Sequence, residues 1–423
     1  LVSAPCRESE RPISRIVSGS SERLGVAAAL LADERVRGFM ARQSIYLDHN
    51  ASAPLLPEAR AAVVAALDLV GNPSSVHAEG RALRAVIDKA RAQVARLAGA
   101  ERDQVVFTST ATEAITQAIV GGARAFSVDA IVVSAGEHAA VLKAAEATGL
   151  PVKKVGLDSD GYIKVEEIAA AIAAADLVGM RLLVAVQLVN NETGIVQPVD
   201  RIEVLVGPSP HYLFVDAAQA FGKFGLEFAS RAPDMMAISG HKIGGPAGAA
   251  ALLVKGHADQ VRLIPGGGQE SGRRGGTENA AAIAGFGAAC EVFAERFYHA
   301  NVSELVRVAE DGMRLIAPDL VVFGETGGRI GNTSNFAVPG LGNAVAMMGL
   351  DLAGIAVSSG SACSSGKVGP SHVLEAMGVP AELGECAMRV SFGWSSSIED
   401  VEAYLKGFSE VVGRHRARHG VAA

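Results

Sequence analysis

Short apolar segments that alternate with helical segments restrict the fold of this chain more than any other feature. Leu182 to Val189 and Tyr212 to Val215 are apolar along nearly their whole length, while Ala111 to Ala125 and Val165 to Ala175 have the spacing of helices. Strands that are buried on both faces and separated by helices are typical of a mainly parallel sheet. The pattern therefore predicts an α/β fold built on such a sheet. Further strands are predicted at Gln104 to Thr108, Ala130 to Ser134, Val152 to Val155, Met235 to Ile238 and Ala249 to Val254, and further helices at His77 to Leu97 and His138 to Thr148.

The pattern changes after about residue 298, which indicates a second, α+β domain with longer helices and a strand at Ser334 to Val338. The chain has 423 residues, which is long enough for more than one domain. We expect a large domain over residues 60–297 and a small domain formed by residues 45–59 and 298–423. Residues 1–44 lack a signal-peptide pattern and are too rich in acids for a transit peptide, so we expect a disordered or non-native extension.

Composition argues against several classes of protein. The net charge is −7, whereas nucleic-acid binding needs a basic face. No apolar run reaches the length of a membrane span. The four cysteines have no metal-ligand spacing, which predicts that no metal is bound, and so few cysteines in a long chain favour the reducing cytoplasm.

Two charged residues follow predicted strands directly, where ligands gather in open parallel sheets. Asp216 comes after the strand that ends at Val215, and it suits either a helix N-cap or a carboxylate beside a cofactor ring nitrogen. Lys242 lies in SGHKIGGP after another strand. A lysine in a loop is usually solvated, but Ser239 and His241 offer donors to a phosphate, and a shielded lysine can form a Schiff base.

Other polar residues fall at the same kind of position. Thr112 lies where a strand meets a helix, so it suits either a cap or a phosphate site. His138 follows the next strand, and a lone histidine is more often structural than catalytic. Asn190 and Asn191 end a strand and need partners from the turn or from a ligand. The segment from Gly266 to Asn279 is either a flexible loop or an anion-binding nest that includes Thr277.

Cys363 lies in SSGSACSSGKVGPS, whose glycines and serines predict a mobile, exposed loop. A free cysteine is usually buried and inert, so this setting indicates a reactive thiol. Cys290 and Cys386 lack such a setting, and we expect them to serve packing.

Together, these motifs resemble those of the cysteine desulfurases, pyridoxal phosphate (PLP) enzymes of fold type I within the class V aminotransferases. The resemblance runs from about Ile45 to about Leu405, with segments in matching order: IYLDHNASAP, GNPSSVHAEGR, NNETG, DAAQ, SGHK, RRGGTEN and SSGSACSS. Each segment alone is weak, whereas all of them in order are specific. The resemblance implies a seven-stranded sheet in the large domain and a catalytic cysteine loop in the small domain. Thr110 departs from it, since the family often has glycine there.

The resemblance also implies a role for each matching residue. Lys242 matches the Schiff-base lysine, Asp216 the partner of the ring nitrogen, and Cys363 the cysteine that forms a persulfide. His138 matches the histidine that stacks on the ring and carries a proton, and Arg389 matches the arginine that binds the substrate carboxylate. The remaining matches are cofactor contacts: Gln219 and Asn191 near the phenolic oxygen, with Asn191 also near substrate, and Ala111, Thr112, Ser239, His241 and Thr277 near the phosphate.

The implied reaction converts L-cysteine to L-alanine and leaves sulfur on Cys363. The resemblance further implies a homodimer in which Thr277 is lent to the other subunit, and an iron–sulfur scaffold or a sulfur-relay protein as acceptor. Three neighbouring PLP activities remain open alternatives: selenocysteine lyase, cysteine-sulfinate desulfinase and aminotransferase. A non-catalytic scaffold on a PLP fold is the alternative of another class, although it would be expected to have lost Lys242 or Cys363.

Overall fold

The central sheet dominates the computed structural model, which describes residues 44–359 and 371–419. Within these ranges the strands are β1 (Ile45–Tyr46), β2 (Val105–Thr108), β3 (Ala130–Ser134), β4 (Val152–Val155), β5 (Leu182–Gln187), β6 (Tyr212–Asp216), β7 (Met235–Ser239), β8 (Ala250–Val254), β9 (Val321–Val322), β10 (Thr333–Ala337), β11 (Ile355–Ala356) and β12 (Ala387–Ser391). Seven of them pair in the order β2-β8-β7-β6-β5-β3-β4. The pairs from β4 through β7 are parallel, and β8 is antiparallel to both of its neighbours. The predicted mainly parallel sheet is therefore confirmed.

Alternate residues of each central strand enter different cores. On β5, Leu183 packs into one apolar cluster and Val184 into another. On β6 the same alternation separates Phe214 from Val215. Because side chains of a strand point to opposite faces in turn, helices must cover both faces, which is why the strands are apolar throughout.

The helices in the described ranges are α1 (Pro57–Leu67), α2 (Ala78–Ala98), α3 (Ala111–Thr116), α4 (Gly122–Ala125), α5 (Ala139–Ala147), α6 (Val165–Val178), α7 (Val199–Val206), α8 (Ala280–His299), α9 (Val302–Ile316), α10 (Asn343–Leu352), α11 (His372–Ala376), α12 (Ala381–Gly384) and α13 (Ile398–His419). Their ends follow local chemistry. The His77 side chain caps α2, and Gly99 ends it in the left-handed region at φ 59°. A π-helical stretch, Gln117–Gly121, joins α3 to α4, so the helix predicted over Ala111 to Ala125 is present with one irregular turn.

The cap of α3 differs from the sequence-based expectation. Thr110 is the N-cap residue, and its hydroxyl accepts a hydrogen bond from the backbone N–H of Glu113 at 3.1 Å. Thr112 lies inside the first turn, so its interpretation as a cap is wrong. Thr110 thus starts the helix by ordinary capping.

The later part of the chain has its own sheet and core. Strands β12, β10 and β9 form an antiparallel sheet, while β1 pairs with β11. An apolar cluster that includes Phe336, Met388 and Tyr404 packs around them with α9 and α13. The strand predicted at Ser334 to Val338 is present as β10. The assignment of residues 45–59 and 298–423 to one domain stays a prediction.

Parallel strands bring the ends of several loops to one edge of the central sheet. Residues that follow β3, β5, β6 and β7 meet there, since the carboxyl ends of parallel strands share an edge. The segment after β1 reaches the small sheet through a bridge between Asp48 and Ser391. Helices that could cross a membrane are absent from the part of the chain that the structure describes.

Candidate active site

Lys242 ends a short 3₁₀ turn, Gly240–Lys242, directly after β7. Its Nζ donates to the carbonyl oxygens of Asn50 and Ala51 at 2.5 and 3.0 Å. Gly244 follows with φ +74°, and a Cβ there would lie 2.7 Å from Leu56 Cγ, so only glycine fits this turn. The lysine is thereby directed at the segment that follows β1.

Arg389 reaches the same segment from the small sheet. It lies on β12 and is fully buried. Its Nη2 donates to Asp48 Oδ1 at 2.6 Å, and its Nη1 donates to the carbonyl oxygen of Asn191 at 2.8 Å. Lys242 and Arg389 therefore both contact one short segment, although the chain separates them by more than a hundred residues.

Asp216 is the last residue of β6 and is buried. Its Oδ1 accepts a hydrogen bond from the N–H of Ala218 at 2.9 Å, so the side chain closes a turn and does not cap a helix. Burial raises the pKa of Asp216, while this N–H and the nearby side chains of His138 and Lys242 act in the opposite direction. The strand end thus holds a carboxylate close to both residues.

Two histidines line this edge. His138 caps α5, with Nδ1 accepting from the N–H of Ala140 at 3.1 Å, which leaves Nε2 as the position for a proton. His241 Nδ1 lies 3.3 Å from Ser52 Oγ. Burial, together with the charge of Lys242, lowers the pKa of His241 to about 4, so it is neutral at neutral pH and can donate one N–H.

Asn50 is the hub of a buried hydrogen-bond network. Its carbonyl oxygen accepts from Gln219 Nε2 at 2.8 Å, in addition to Lys242. Its side-chain Nδ2 donates to Thr333 Oγ1 at 2.7 Å and to the carbonyl oxygen of Asn191 at 3.1 Å. This residue joins the large sheet, the small sheet and the loop after β5.

The residues after the undescribed stretch 360–370 are also tied to the site. Ser371 Oγ donates to the buried carboxylate of Glu192 at 2.5 Å, and His372 Nε2 lies 2.9 Å from the carbonyl oxygen of Glu137. Burial raises the pKa of both Glu192 and Glu137. Both carboxyls stand next to predicted site residues in the chain, Asn191 and His138.

Not every predicted residue joins this group. Thr112 is exposed near the start of α3, beside the partly buried Ala111, and Thr277 is exposed before α8. Cys363 and Cys6 lie outside the described residues. Cys290 and Cys386 are buried, which confirms their expected packing role.

Sequence reasoning missed four residues that contact this constellation. Asn50 and Asp48 lie in IYLDHNASAP, and Glu192 lies inside NNETG. Lys223 follows DAAQ by four residues, and its Nζ donates to Gln219 Oε1 at 3.1 Å. Their positions inside or beside the motifs could have marked them as candidates. Their hydrogen-bond partners, however, could not be inferred from the local sequence, because most of those partners lie far away along the chain.

The residues of this edge fit a phosphorylated aromatic aldehyde such as PLP. Ser239 Oγ is buried and has no hydrogen-bond partner among the described residues, which is costly unless a ligand satisfies it. Lys242, Asp216 and neutral His241 add an amine, a carboxylate and a second donor. No group of three or more His, Cys, Asp or Glu side chains within the described ranges is placed to hold a metal ion.

Comparisons with known proteins agree with this chemistry. The family model for aminotransferase class-V matches residues 45–404. A cysteine desulfurase of Cereibacter sphaeroides is 38% identical over 383 residues, which cover 89% of this chain and 97% of the relative. The chain belongs to the cysteine desulfurase family. The cysteine desulfurase IscS of Dictyoglomus turgidum is 32% identical over 384 residues, covering 89% of this chain and 96% of that relative.

Solved structures of similar proteins support this membership. A NifS-like protein from Rickettsia africae ESF-5 has a TM-score of 0.79 and 29% identity, over 88% of this chain and all 100% of that one. The structure of SspA in complex with cysteine has a TM-score of 0.70 and 28% identity, over 83% of this chain and 99% of that one. The family depends on PLP. The predicted family, fold class and cysteine desulfurase function are confirmed.

Proposed function

We propose that this cysteine desulfurase holds PLP through Lys242 and moves sulfur from L-cysteine to Cys363. The products are L-alanine and a persulfide on Cys363: the carbon–sulfur bond of the substrate breaks, a sulfur–sulfur bond to Cys363 forms, and a proton takes the place of sulfur on the substrate Cβ. The observation that carries the proposal is the approach of Lys242 and Arg389 to one segment, Asp48 to Ala51. A substrate carboxylate at Arg389 would then lie close to the lysine amine.

When bound, PLP supplies an electron sink for negative charge that develops at the substrate Cα. Asp216 would keep a proton on the ring nitrogen through a buried charge-assisted hydrogen bond. Ser239, His241, Ala111 and Thr112 would hold the phosphate, aided by the free N–H groups at the start of α3. Gln219 would donate to the phenolic oxygen.

The substrate is bound and deprotonated by other side chains. Arg389 and Asn191 would fix the carboxylate, since a guanidinium matches it with two parallel hydrogen bonds. Lys242 Nζ, as the free amine, would take the Cα proton. His138 would stack on the ring and carry a proton to or from the substrate thiol on Nε2.

Assembly and sulfur delivery belong to the same proposal. Thr277 is exposed, which leaves it accessible to the phosphate site of a second copy in a homodimer. The acceptor of the persulfide sulfur is an iron–sulfur scaffold protein or a sulfur-relay protein, and an IscS among the relatives supports this class. Location in the cytoplasm stays a prediction.

The test is a single-turnover assay of the holoenzyme with L-cysteine, in which alanine and protein-bound sulfur are measured by mass spectrometry. Cys363→Ser should keep the cofactor spectrum and its change on cysteine addition, but lose the added sulfur. Cys386→Ser is the matched control and should keep it. Equal persulfide formation by Cys363→Ser would remove Cys363 from the mechanism. Parallel assays with L-selenocysteine distinguish a lyase, which would favour that substrate.

A further inference from the structure

Lys223 is a second lysine at the edge of the candidate site, and the proposed reaction gives it no role. Its Nζ donates to Gln219 Oε1 at 3.1 Å and to Asn50 Oδ1 at 3.4 Å. Both acceptors are side-chain amides of the network that surrounds Lys242. Lys223 thus contacts this network through the side-chain oxygens of Gln219 and Asn50.

A lysine ammonium can only donate hydrogen bonds, so each amide must turn its oxygen toward it. The amide nitrogens then point elsewhere. Gln219 Nε2 donates to the carbonyl oxygen of Asn50 at 2.8 Å and keeps a second N–H. Asn50 Oδ1 also accepts from Asn332 Nδ2 at 3.0 Å, which reinforces the same orientation. Lys223 therefore selects one of two amide orientations that differ little in shape.

Among the described residues, no carboxylate forms an ion pair with Lys223. Burial, followed by the positive charges of Lys242 and Arg389, lowers the pKa of Lys223 to about 7. Placing a partly buried amine beside two cations opposes folding, so a purely structural purpose would be better served by an apolar side chain.

We propose that Lys223 is a positioning residue of the cofactor site, which orients the Gln219 and Asn50 amides so that the remaining N–H of Gln219 faces the cofactor. This inference rests on the proposed function, since it requires PLP at Lys242. Lys223 would act on the side of the ring that carries the phenolic oxygen. An amide N–H there would donate to that oxygen, whereas an amide carbonyl oxygen would repel it.

The test compares Lys223→Met with Lys255→Met. Lys255 also donates to two carbonyl oxygens, those of Phe228 and Ala229, at 2.8 and 2.7 Å. It follows the antiparallel strand β8 and so lies at the opposite edge of the sheet. Each variant removes a lysine amine that donates to two oxygens, one beside the proposed cofactor and one remote from it.

The measurements are PLP affinity of the apoenzyme, by titration, and its melting temperature. We expect Lys223→Met to bind PLP about fivefold to tenfold more weakly, the loss of roughly one hydrogen bond. Its apoenzyme should melt close to wild type, because removal of an amine from beside Lys242 and Arg389 offsets the hydrogen bond that Gln219 Oε1 loses. Lys255→Met should keep wild-type affinity. Lys223→Arg, which keeps a cationic donor, should retain more affinity than Lys223→Met.

The outcomes separate the two proposals. If wild-type protein binds PLP but Lys223→Met binds it equally well, the role of Lys223 is refuted and the proposed function stands. A melting temperature that falls in parallel with affinity would also refute it, since that is the behaviour of a structural residue. If the wild-type chain takes up no PLP, both proposals fail.

Discussion

The ion pair of Arg389 and Asp48 offers a direct test of the site's construction. The two groups are 2.6 Å apart, with the Arg389 side chain 0% exposed and the Asp48 side chain 19% exposed. Asp48→Asn keeps the shape and a carbonyl acceptor but removes the charge that offsets a buried guanidinium. Breaking a buried pair from one side typically costs about 3–5 kcal/mol, because the remaining charge has no counter-charge.

The expected loss for Asp48→Asn is about 3 kcal/mol, the lower end of that range, since the asparagine oxygen still accepts a hydrogen bond and water reaches Asp48. Equilibrium urea unfolding of the apoenzyme measures it. In the same variant the KM for L-cysteine should rise more than kcat falls, because the hydrogen bond that holds Arg389 Nη2 loses its charge and orients the guanidinium less firmly. The hydrogen bond from Arg389 Nη1 to the carbonyl oxygen of Asn191 is unchanged in this variant.

Asp311→Asn is the matched control. Asp311 pairs with Arg307 at 2.8 Å, but both side chains are more than half exposed, at 59% and 61%. Solvent screening limits such pairs to less than about 1 kcal/mol. Equal unfolding midpoints for the two variants would refute the argument that burial gives the Arg389 pair its importance.

Two further variants test the amine of Lys242 and the buried carboxyl group of Glu137. After borohydride reduction of the holoenzyme, Lys242→Ala should carry no PLP attached to the chain, while Lys255→Met should carry it at Lys242; a reducible adduct in Lys242→Ala would assign the cofactor to another lysine. Burial, with a smaller contribution from Asp216, raises the pKa of Glu137, so the folded chain holds a proton that the unfolded chain has already released. The stability that this bound proton contributes is present below the pKa of Glu137 in the unfolded chain, and it is lost as pH rises toward the pKa of Glu137 in the folded chain. The melting temperature of Glu137→Gln minus that of wild type should therefore be larger at pH 8 than at pH 5. The exposed control Glu146→Gln should show no such change with pH. An equal difference for Glu137→Gln at both pH values would contradict this reasoning.

Local pattern was enough to predict the elements that hold the chemistry. The apolar strands, the helix from His77 and the polar residues after each strand follow from periodicity and from residues that start or stop elements, all within about twenty positions of one another. Because carboxyl ends of parallel strands share an edge, the sequence alone places Asp216 and Lys242 close together. The motif order then identified the family. The cap of α3 was misassigned because Thr110 and Thr112 are both credible caps by residue type, and only backbone geometry distinguishes them.

The partners of those residues depended on the tertiary structure. Asp48 meets Arg389 across 341 positions, and Glu192 meets Ser371 across 179. Lys223 gained its buried, cation-rich surroundings only when two sheets closed on the segment around Asn50. Hydrogen bonds and charges act over a few ångströms of space, while a sequence pattern reports only neighbours along the chain. The sequence alone therefore determined which side chains stand at the strand ends, and folding decided which of them touch.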